Sequence, residues 1–248
     1  MDEYMTSNRR LWDDWTAIHE KSKFYDVEGF RNGRSSLKSI ELEELGDVSG
    51  KTLLHLQCHF GIDTMSWARL GAEVTGVDFS EQAIELACSL SEETGIPARF
   101  VRSNIYDLPD VLSDEFDIVF TSYGVLSWLP DLRRWAKVIS HFLKPGGVFY
   151  IVEAHPLAYV FDDENEVGLR VRYPYFHGPE PLRFETHGSY AVPDADHHSV
   201  EYSWDHSLGE ILNSLVAAGL RIEHLHEFPY CAWKIYRSQN RMSKGGGA

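Results

Sequence analysis

The amino-acid sequence predicts an α/β fold in which a doubly wound, mostly parallel sheet of seven strands carries an N-terminal helical segment and an inserted lid. Three observations lead to this prediction. From residue 52 onward, short apolar runs typical of buried strands alternate with segments of helical periodicity. Five of these runs are separated by connections long enough for crossover helices, which join parallel strands. Apolar residues make up 43% of the 248 residues, so one large core can form.

The central strands and helices follow one another along the middle of the chain. Five strands are predicted at 52–57, 73–78, 98–103, 116–122 and 148–153. Gly61 opens a helical pattern after the first strand, and Ser80 is a good N-cap for the helix after the second. A further helix is predicted at 131–143, because its apolar residues fall on one stripe and Asp131 favours its N-terminus. The sequence "KPGG" at 144–147 is expected to end this helix.

The flanking segments differ from this core in composition. Aromatic and charged residues mix at the N-terminus, which predicts one or two helices packed on the sheet. The segments "LRVRYPYF" and "SVEYSW" alternate in polarity, which predicts short antiparallel strands in the lid. A helix beginning at Leu208 is followed by "LRIEHLHEF" and "CAWKIYR", a closing hairpin that completes the seven strands. The predicted division is a helical cap at 1–45, a core at 46–154, the lid at 155–204, a C-terminal helix and hairpin at 205–240 and a disordered tail at 241–248.

Charge and cysteine content exclude several classes of function. The net charge is −15, which argues against binding to nucleic acid or to an anionic membrane, since both need basic patches. No apolar run approaches the roughly 20 residues of a membrane helix, and the charged start "MDEYMTSNRR" does not resemble a signal peptide. Three cysteines without a paired motif indicate free thiols in a reducing compartment. A cytoplasmic protein that acts on small molecules is therefore expected.

The turn after the first strand limits what the sheet can bind. In a doubly wound sheet, ligands lie beyond the carboxyl ends of the strands. The turn "QCHFG" holds a single glycine, Gly61, whereas a dinucleotide fold uses G-x-G-x-x-G and a phosphate-binding loop uses G-x-x-x-x-G-K-[ST]. Asp78 ends the second strand and can accept hydrogen bonds from two ribose hydroxyls. These features favour a ligand that contains adenosine and no phosphate.

Three segments resemble a known family. "LLHLQCHFGIDTMSWARLGAEVTGVDFSEQAIELA" resembles motif I and the following strand of class I S-adenosylmethionine-dependent methyltransferases, in which the turn is commonly close to "LDLGCGTG". His55 replaces the acid of that motif, and Gln57 and His59 replace two of its glycines. "RSNIYDLP" resembles the segment that holds adenine, and 116–153 resembles the fourth strand, helix and fifth strand, including "LKPGG". The resemblance covers roughly residues 50–153.

The resemblance implies a Rossmann-like fold, S-adenosylmethionine as cofactor and methyl transfer to a small-molecule acceptor. The residues that it places at the cofactor are Gln57, His59, Gly61, Asp78, Phe79, Asn104 and Ile105. Gln57 and His59 either bind the amino-acid tail or point away and pack against the N-terminal helices. Asp78 either binds the ribose or caps the next helix, and Asn104 either binds the adenine amino group or stabilises a turn. Phe79 packs on adenine or in the core.

The acceptor side is less constrained by the sequence. His155 directly follows the fifth strand, and its ordinary pKa range suits a general base near neutral pH. The alternative is an exposed histidine before Pro156. Tyr123, just beyond the fourth strand, lies either in the methyl-transfer pocket or in the core, and Tyr190 and His206 are further candidates for that pocket.

The sequence leaves metal binding and two other functions to be weighed. The sequence contains twelve histidines but no H-E-x-x-H or C-x-x-C motif, so no metal site is predicted. Whether the histidine-rich lid binds a metal stays open. One alternative function is an NAD(P)-dependent oxidoreductase, which the missing glycines disfavour. The other is a non-catalytic regulatory protein that binds the cofactor through the unusual "QCHF" turn. Oligomeric state does not follow from the sequence.

Overall fold

A five-stranded parallel sheet forms the centre of the protein, in a computed structural model that describes residues 2–163, 165 and 167–231. Its strands are β1 Thr52–Leu56, β2 Glu73–Asp78, β3 Arg99–Arg102, β4 Phe116–Ser122 and β5 Leu143–Val152. The strand order is β3-β2-β1-β4-β5, and every neighbouring pair is parallel. The doubly wound α/β fold predicted from the sequence is confirmed. Because the strand order reverses between β1 and β4, a crevice opens at their carboxyl ends.

Seven helices accompany the sheet in the described part of the chain. They are α1 Glu3–Glu20, α2 Val27–Arg31, α3 Ser39–Leu45, α4 Ile62–Arg69, α5 Glu81–Thr94, α6 Leu132–Phe142 and α7 Leu208–Ala217. The predicted caps are present: the Ser80 hydroxyl accepts a hydrogen bond from the Ala83 N–H, and the Asp131 carboxylate accepts one from the Arg134 N–H. Each satisfies a backbone donor that the first helical turn leaves unpaired.

The segment between α6 and β5 differs from its prediction. Strand β5 begins at Leu143 rather than at 148, so "KPGG" lies within the strand and does not form a separate turn. The pairing with β4 shifts there, since Phe116 pairs with Leu143 while Ile118 pairs with Val148. Gly146 lies in the left-handed region with φ 80°, which lets the backbone bulge and resume pairing.

The insertion folds around an antiparallel hairpin of β6 Leu182–His187 and β7 His198–Ser203. The predicted strand in "SVEYSW" is part of β7. The other predicted strand, "LRVRYPYF", is absent, and its residues make only an isolated bridge between Val171 and Phe161. Pro174 lacks an amide donor and disfavours a continuous strand there.

Helix α1 joins the insertion to the sheet. The Asn8 side chain donates to the Tyr202 carbonyl at 2.7 Å and accepts from the Tyr202 N–H at 2.9 Å. Further along α1, the Trp15 indole N–H donates to the Gly188 carbonyl at 3.0 Å. Both side chains are buried. The N-terminal region, which holds three helices rather than the predicted one or two, therefore packs directly on the insertion.

The C-terminal region adds no strand to the described sheet. Helix α7 ends at Ala217, close to the predicted stop at Gly219, and residues 220–231 form no strand. The remainder of the predicted hairpin and the predicted tail at 241–248 lie outside the described residues. Five strands of the predicted seven are present in the described sheet. Within the same residues, no helix combines the length and the apolar character that crossing a membrane requires.

Candidate active site

A cavity of about 1640 Å³ lies at the carboxyl ends of the strands, between the sheet, helix α1 and the insertion. The crevice at the β1–β4 switch point opens into it, as the strand order requires. Ten of the eleven residues singled out from the sequence line this cavity: Gln57, His59, Gly61, Asp78, Phe79, Asn104, Ile105, Tyr123, Tyr190 and His206. The fold thus brings together side chains that lie up to about 150 positions apart in the chain.

The turn between β1 and α4 follows a glycine-like path with few glycines. Gln57, His59 and Gly61 all have positive φ, at 57°, 51° and 71°. Such angles bring a Cβ atom close to the backbone and strain a residue other than glycine by roughly 1–2 kcal/mol. A Cβ atom at Gly61 would also collide with the ring of Phe100. The turn therefore follows a path that suits glycine although Gln57 and His59 stand at two of its positions. At Gly61 there is no room for a side chain.

Asp78 lies at the end of β2, directly beside this turn, and is only 8% exposed. Its Oδ2 atom accepts the His59 N–H at 2.8 Å, and its Oδ1 atom accepts the Ser80 N–H at 2.9 Å. Burial raises the pKa of this carboxyl to about 6, and the backbone donors partly oppose that rise. Each oxygen retains a second lone pair, so the carboxylate can still accept a ligand hydroxyl.

Gln57 and His59 turn toward other parts of the protein. The Gln57 amide donates to the Val125 carbonyl at 3.2 Å, and its buried Oε1 atom has no protein partner. The His59 imidazole lies 3.0 Å from that of His19 in α1 and packs edge-on against Trp12. His59 thus makes the contact with the N-terminal helices that the sequence offered as the alternative to tail binding.

The segments that follow β2 and β3 offer apolar surface and one turn residue. Phe79 and Ile105 line it, and Ile105 is 6% exposed. The Asn104 carbonyl oxygen Oδ1 accepts the Tyr106 N–H at 2.9 Å and caps the short 3₁₀ helix Ile105–Asp110. Its amide nitrogen is not used in that cap, so Asn104 can stabilise the turn and still face a ligand.

Comparison with known proteins points to one family. Residues 54–149 match the family model of a methyltransferase domain. A ubiquinone biosynthesis O-methyltransferase of Proteus mirabilis is 31% identical over 134 residues, which cover 52% of this chain and 54% of that protein. The chain thus spans about half the length of the curated relatives that it matches.

The match of residues 54–149 to a methyltransferase domain agrees with the resemblance found in the sequence.

Solved structures agree with the fold of this domain. A crystal structure of an S-adenosylmethionine-dependent methyltransferase from Clostridium acetobutylicum matches with a TM-score of 0.56 at 16% identity, covering 86% of this chain and 89% of that one. DhpI in its complex with SAH matches with the same score and identity, covering 87% of each chain. At these identities the likeness concerns the fold alone.

The loop after β4 of the methyltransferase domain is held by a buried acid, Glu41, and a half-buried acid, Glu153. The Tyr123 hydroxyl donates to Glu41 Oε2 at 2.8 Å, and Tyr123 has a positive φ of 39°. The Glu153 carboxylate accepts the N–H groups of Gly124 and Val125, at 2.6 and 2.8 Å. Sequence inspection singled out neither acid. Their role is to fix the backbone that presents Tyr123 to the cavity.

An aromatic cluster covers the methyltransferase turn from the side of α1 and the insertion. Tyr190 contacts Tyr25 through their hydroxyl groups and lies 4.8 Å from the His19 ring. Trp12 lies 5.2 Å from Trp128, ring centre to ring centre. The faces of these rings can attract a cation.

His155 does not line the cavity of the methyltransferase domain, contrary to its predicted place at the reacting atoms. Its Nδ1 atom accepts the Leu157 N–H at 3.1 Å and caps the 3₁₀ helix Pro156–Val160. Its Nε2 atom lies 3.0 Å from a carboxylate oxygen of Glu227. Because Pro156 starts this helix, the residue before it becomes the N-cap and turns its ring toward the helix end. The geometry gives no support to His155 as the base.

Glu201 is a cavity residue that the sequence did not single out. It lies on β7 opposite Phe184 and lines the cavity. Burial raises the pKa of its carboxyl to about 7, and the negative charge of Asp163 adds to the rise. An acid within the alternating "SVEYSW" segment was the available signal, but alternation alone does not tell which face of a hairpin meets a cavity.

Proposed function

We propose that this protein transfers a methyl group from S-adenosylmethionine to a small-molecule acceptor. The observation that carries the proposal is Asp78, a buried carboxylate at the switch point beside a turn with three alternate positions at positive φ. Its free lone pairs suit the ribose hydroxyls of an adenosine, and Phe79 and Ile105 offer apolar faces to the adenine. When bound, this cofactor supplies an electrophilic methyl group.

The donors and acceptors of the site fit a ligand without phosphate. The buried Oε1 atom of Gln57 has no protein partner, so the ammonium of an amino-acid tail would satisfy it. Gln57 and His59 place side chains where a pyrophosphate site needs bare backbone, and the Asp78 carboxylate beside them would repel a phosphate. These residues disfavour the alternative of an NAD(P)-dependent oxidoreductase.

Glu201 is the general base in this proposal. A carboxylate with a pKa near 7 is ionised in a useful fraction at neutral pH and remains basic enough to take a proton. It would accept the proton that an acceptor hydroxyl loses as it is methylated, or the proton that an ammonium group must lose before its nitrogen can attack the methyl group. Tyr190 and Trp12 would orient the acceptor above the methyl group.

Helix α1 and the insertion act as the lid of the site. Hydrogen bonds of Asn8 and Trp15 to the insertion make the two segments one cover. A cover of this kind excludes water from the reacting atoms once both ligands have entered.

Two measurements test the proposed function. Calorimetry should show binding of S-adenosylmethionine and S-adenosylhomocysteine and no binding of NAD or NADP. Incubation with a library of small hydroxylated and amino compounds should then yield products heavier by one methylene unit in mass spectrometry. Binding of a nicotinamide cofactor would overturn the proposal, and cofactor binding without any methylated product would favour the non-catalytic regulatory protein.

A further inference from the structure

Two histidines and a glutamate meet where the insertion contacts α7. His177 comes from the insertion, while His206 and Glu210 flank the start of α7 at i and i+4 spacing. One side-chain ligand atom from each of the three lies within 4.8 Å of the others. The two imidazole rings stack with centroids 5.0 Å apart, and His206 Nδ1 lies 3.3 Å from Glu210 Oε2.

Hydrogen bonds to backbone carbonyls determine which nitrogen of each ring carries the proton. His206 Nε2 lies 2.7 Å from the Leu129 carbonyl oxygen, and His177 Nδ1 lies 3.2 Å from the Asp205 carbonyl oxygen. A carbonyl oxygen only accepts, so both of these nitrogens must donate. In the neutral rings, the lone pairs are therefore on His206 Nδ1 and on His177 Nε2.

The buried imidazole of His206 faces the Glu210 carboxylate with a nitrogen that carries no proton in the neutral ring. Its side chain is 2% exposed, and its Nδ1 atom has no hydrogen-bond partner. When the ring is neutral, the lone pair of Nδ1 points at the Glu210 carboxylate, and two electron-rich atoms at 3.3 Å repel each other unless a cation lies between them.

We propose that His177, His206 and Glu210 bind a divalent transition-metal ion of the zinc class. Two neutral imidazoles and one carboxylate form the ligand set that zinc uses when a fourth position stays open to water or another ligand. The carbonyls of Leu129 and Asp205 supply the outer hydrogen bonds that orient such imidazoles. A bound ion would tie the insertion to α7 at the edge of the cavity, which His206 lines.

Two other groups in the described residues bring three possible ligands together, and both lack these features. They are Glu44, His224 and His226, and His187, Asp196 and His198. Neither group contains a buried histidine, whereas His206 of the proposed site is buried. Ordering only exposed imidazoles around an ion would sacrifice more side-chain freedom. His226 is already paired with Glu44 through its Nδ1 atom. These groups therefore provide matched controls.

Zinc titration of the protein tests the site directly. After treatment with EDTA and dialysis, calorimetry with zinc chloride should show one tight site in the full-length protein. His177→Ala and Glu210→Gln should each weaken that site at least tenfold, since even outer-sphere partners are worth about 10–100-fold in affinity. His198→Ala and His224→Ala should leave it unchanged.

Cobalt spectra and melting curves provide readouts that distinguish the site from adventitious binding. Bound Co²⁺ should show visible bands of nitrogen and oxygen ligation without thiolate charge transfer, because the cysteines are not involved. Zinc should raise the melting temperature of the wild type and not that of His177→Ala, whose melting temperature in EDTA should match the wild type and so report intact folding. The absence of tight zinc binding by the wild type would overturn the proposal. So would equal zinc affinity of wild type and His177→Ala.

Discussion

His19 of α1 and His59 of the turn between β1 and α4 face each other in the core, with Nδ1 and Nε2 3.0 Å apart. One ring must donate and the other accept, so at least one of the two nitrogens that meet carries no proton. Burial lowers the pKa of His19 to about 3 and lowers that of His59 well below its usual range. The pair connects the lid to the turn at the centre of the proposed cofactor site.

This pair should make the protein less stable as the pH falls. The unfolded chain takes up a proton on each imidazole near pH 6.5, whereas the folded protein resists until the pH falls toward about 3. His19→Gln removes one such group and keeps a side-chain amide near His59. Urea unfolding should therefore show that the unfolding free energy of His19→Gln falls less steeply between pH 6.5 and 4 than that of the wild type. The two slopes should differ by up to about 1.4 kcal/mol per pH unit. Substituting the exposed His141 should not change the slope, and an unchanged slope in His19→Gln would contradict the depressed pKa.

The backbone of the turn should favour glycine at position 57. Gln57→Ala and Gln57→Gly both remove the bond to Val125, but only alanine keeps a Cβ atom at φ 57°. The glycine variant should therefore be more stable than the alanine variant by about 1 kcal/mol in denaturant unfolding. At the exposed helical position Glu85, the same pair of substitutions should show the opposite order, with alanine ahead by about 1 kcal/mol. The same order at both positions would argue against strain in the turn.

Cofactor affinity should depend on Asp78. We expect Asp78→Ala to weaken S-adenosylmethionine binding by roughly 10–100-fold, because hydrogen bonds to a charged group are worth roughly 1.5–3 kcal/mol. Calorimetry measures this effect, with Asp107→Ala as the control, since Asp107 is exposed. Equal affinity of wild type and Asp78→Ala would leave Asp78 with a purely structural role at the turn.

Turnover should depend on Glu201 and not on His155. Glu201→Gln should lower the turnover rate by roughly 10²–10⁴-fold, because a general base usually contributes that much to the rate. Cofactor affinity should change little. Wild-type turnover should also fall as the pH drops below about 7, where this carboxylate becomes protonated. His155→Ala should retain near-normal turnover, because its ring lies outside the cavity. The reverse result, with His155→Ala inactive and Glu201→Gln active, would restore the prediction made from the sequence.

Hydrogen exchange should reveal the lid. When cofactor and acceptor are both bound, the amides of α1 and of residues 155–204 should exchange more slowly, since gating segments belong to the less stable parts of a fold. Helix α6, none of whose residues lines the cavity, serves as the internal control. Exchange in α1 and the insertion that is the same with and without ligands would count against closure.

The sequence by itself determined the central fold and one part of the site. Strands β2 and β4 agree with their predicted bounds, because apolar runs and turn residues act over a few neighbouring positions. The caps at Ser80 and Asp131 are local for the same reason. The position of Asp78 followed as well, since the end of a strand in a doubly wound sheet is also the edge of the ligand crevice.

Only the tertiary structure decided which distant side chains meet. His59 reaches His19, and Glu201 reaches the cavity, because α1 and the β6–β7 hairpin fold across the sheet. His177 meets Glu210 because the insertion also contacts the start of α7. No local pattern carries these contacts: alternation in a strand says that two faces differ but not which of them becomes buried. His155 shows that a correct position along the chain is not enough. It does follow β5, as predicted, but the helix that begins at Pro156 uses His155 as its N-cap, and its side chain does not line the cavity. Local interactions set the elements, and the packing of the insertion against the sheet set the chemistry of the site.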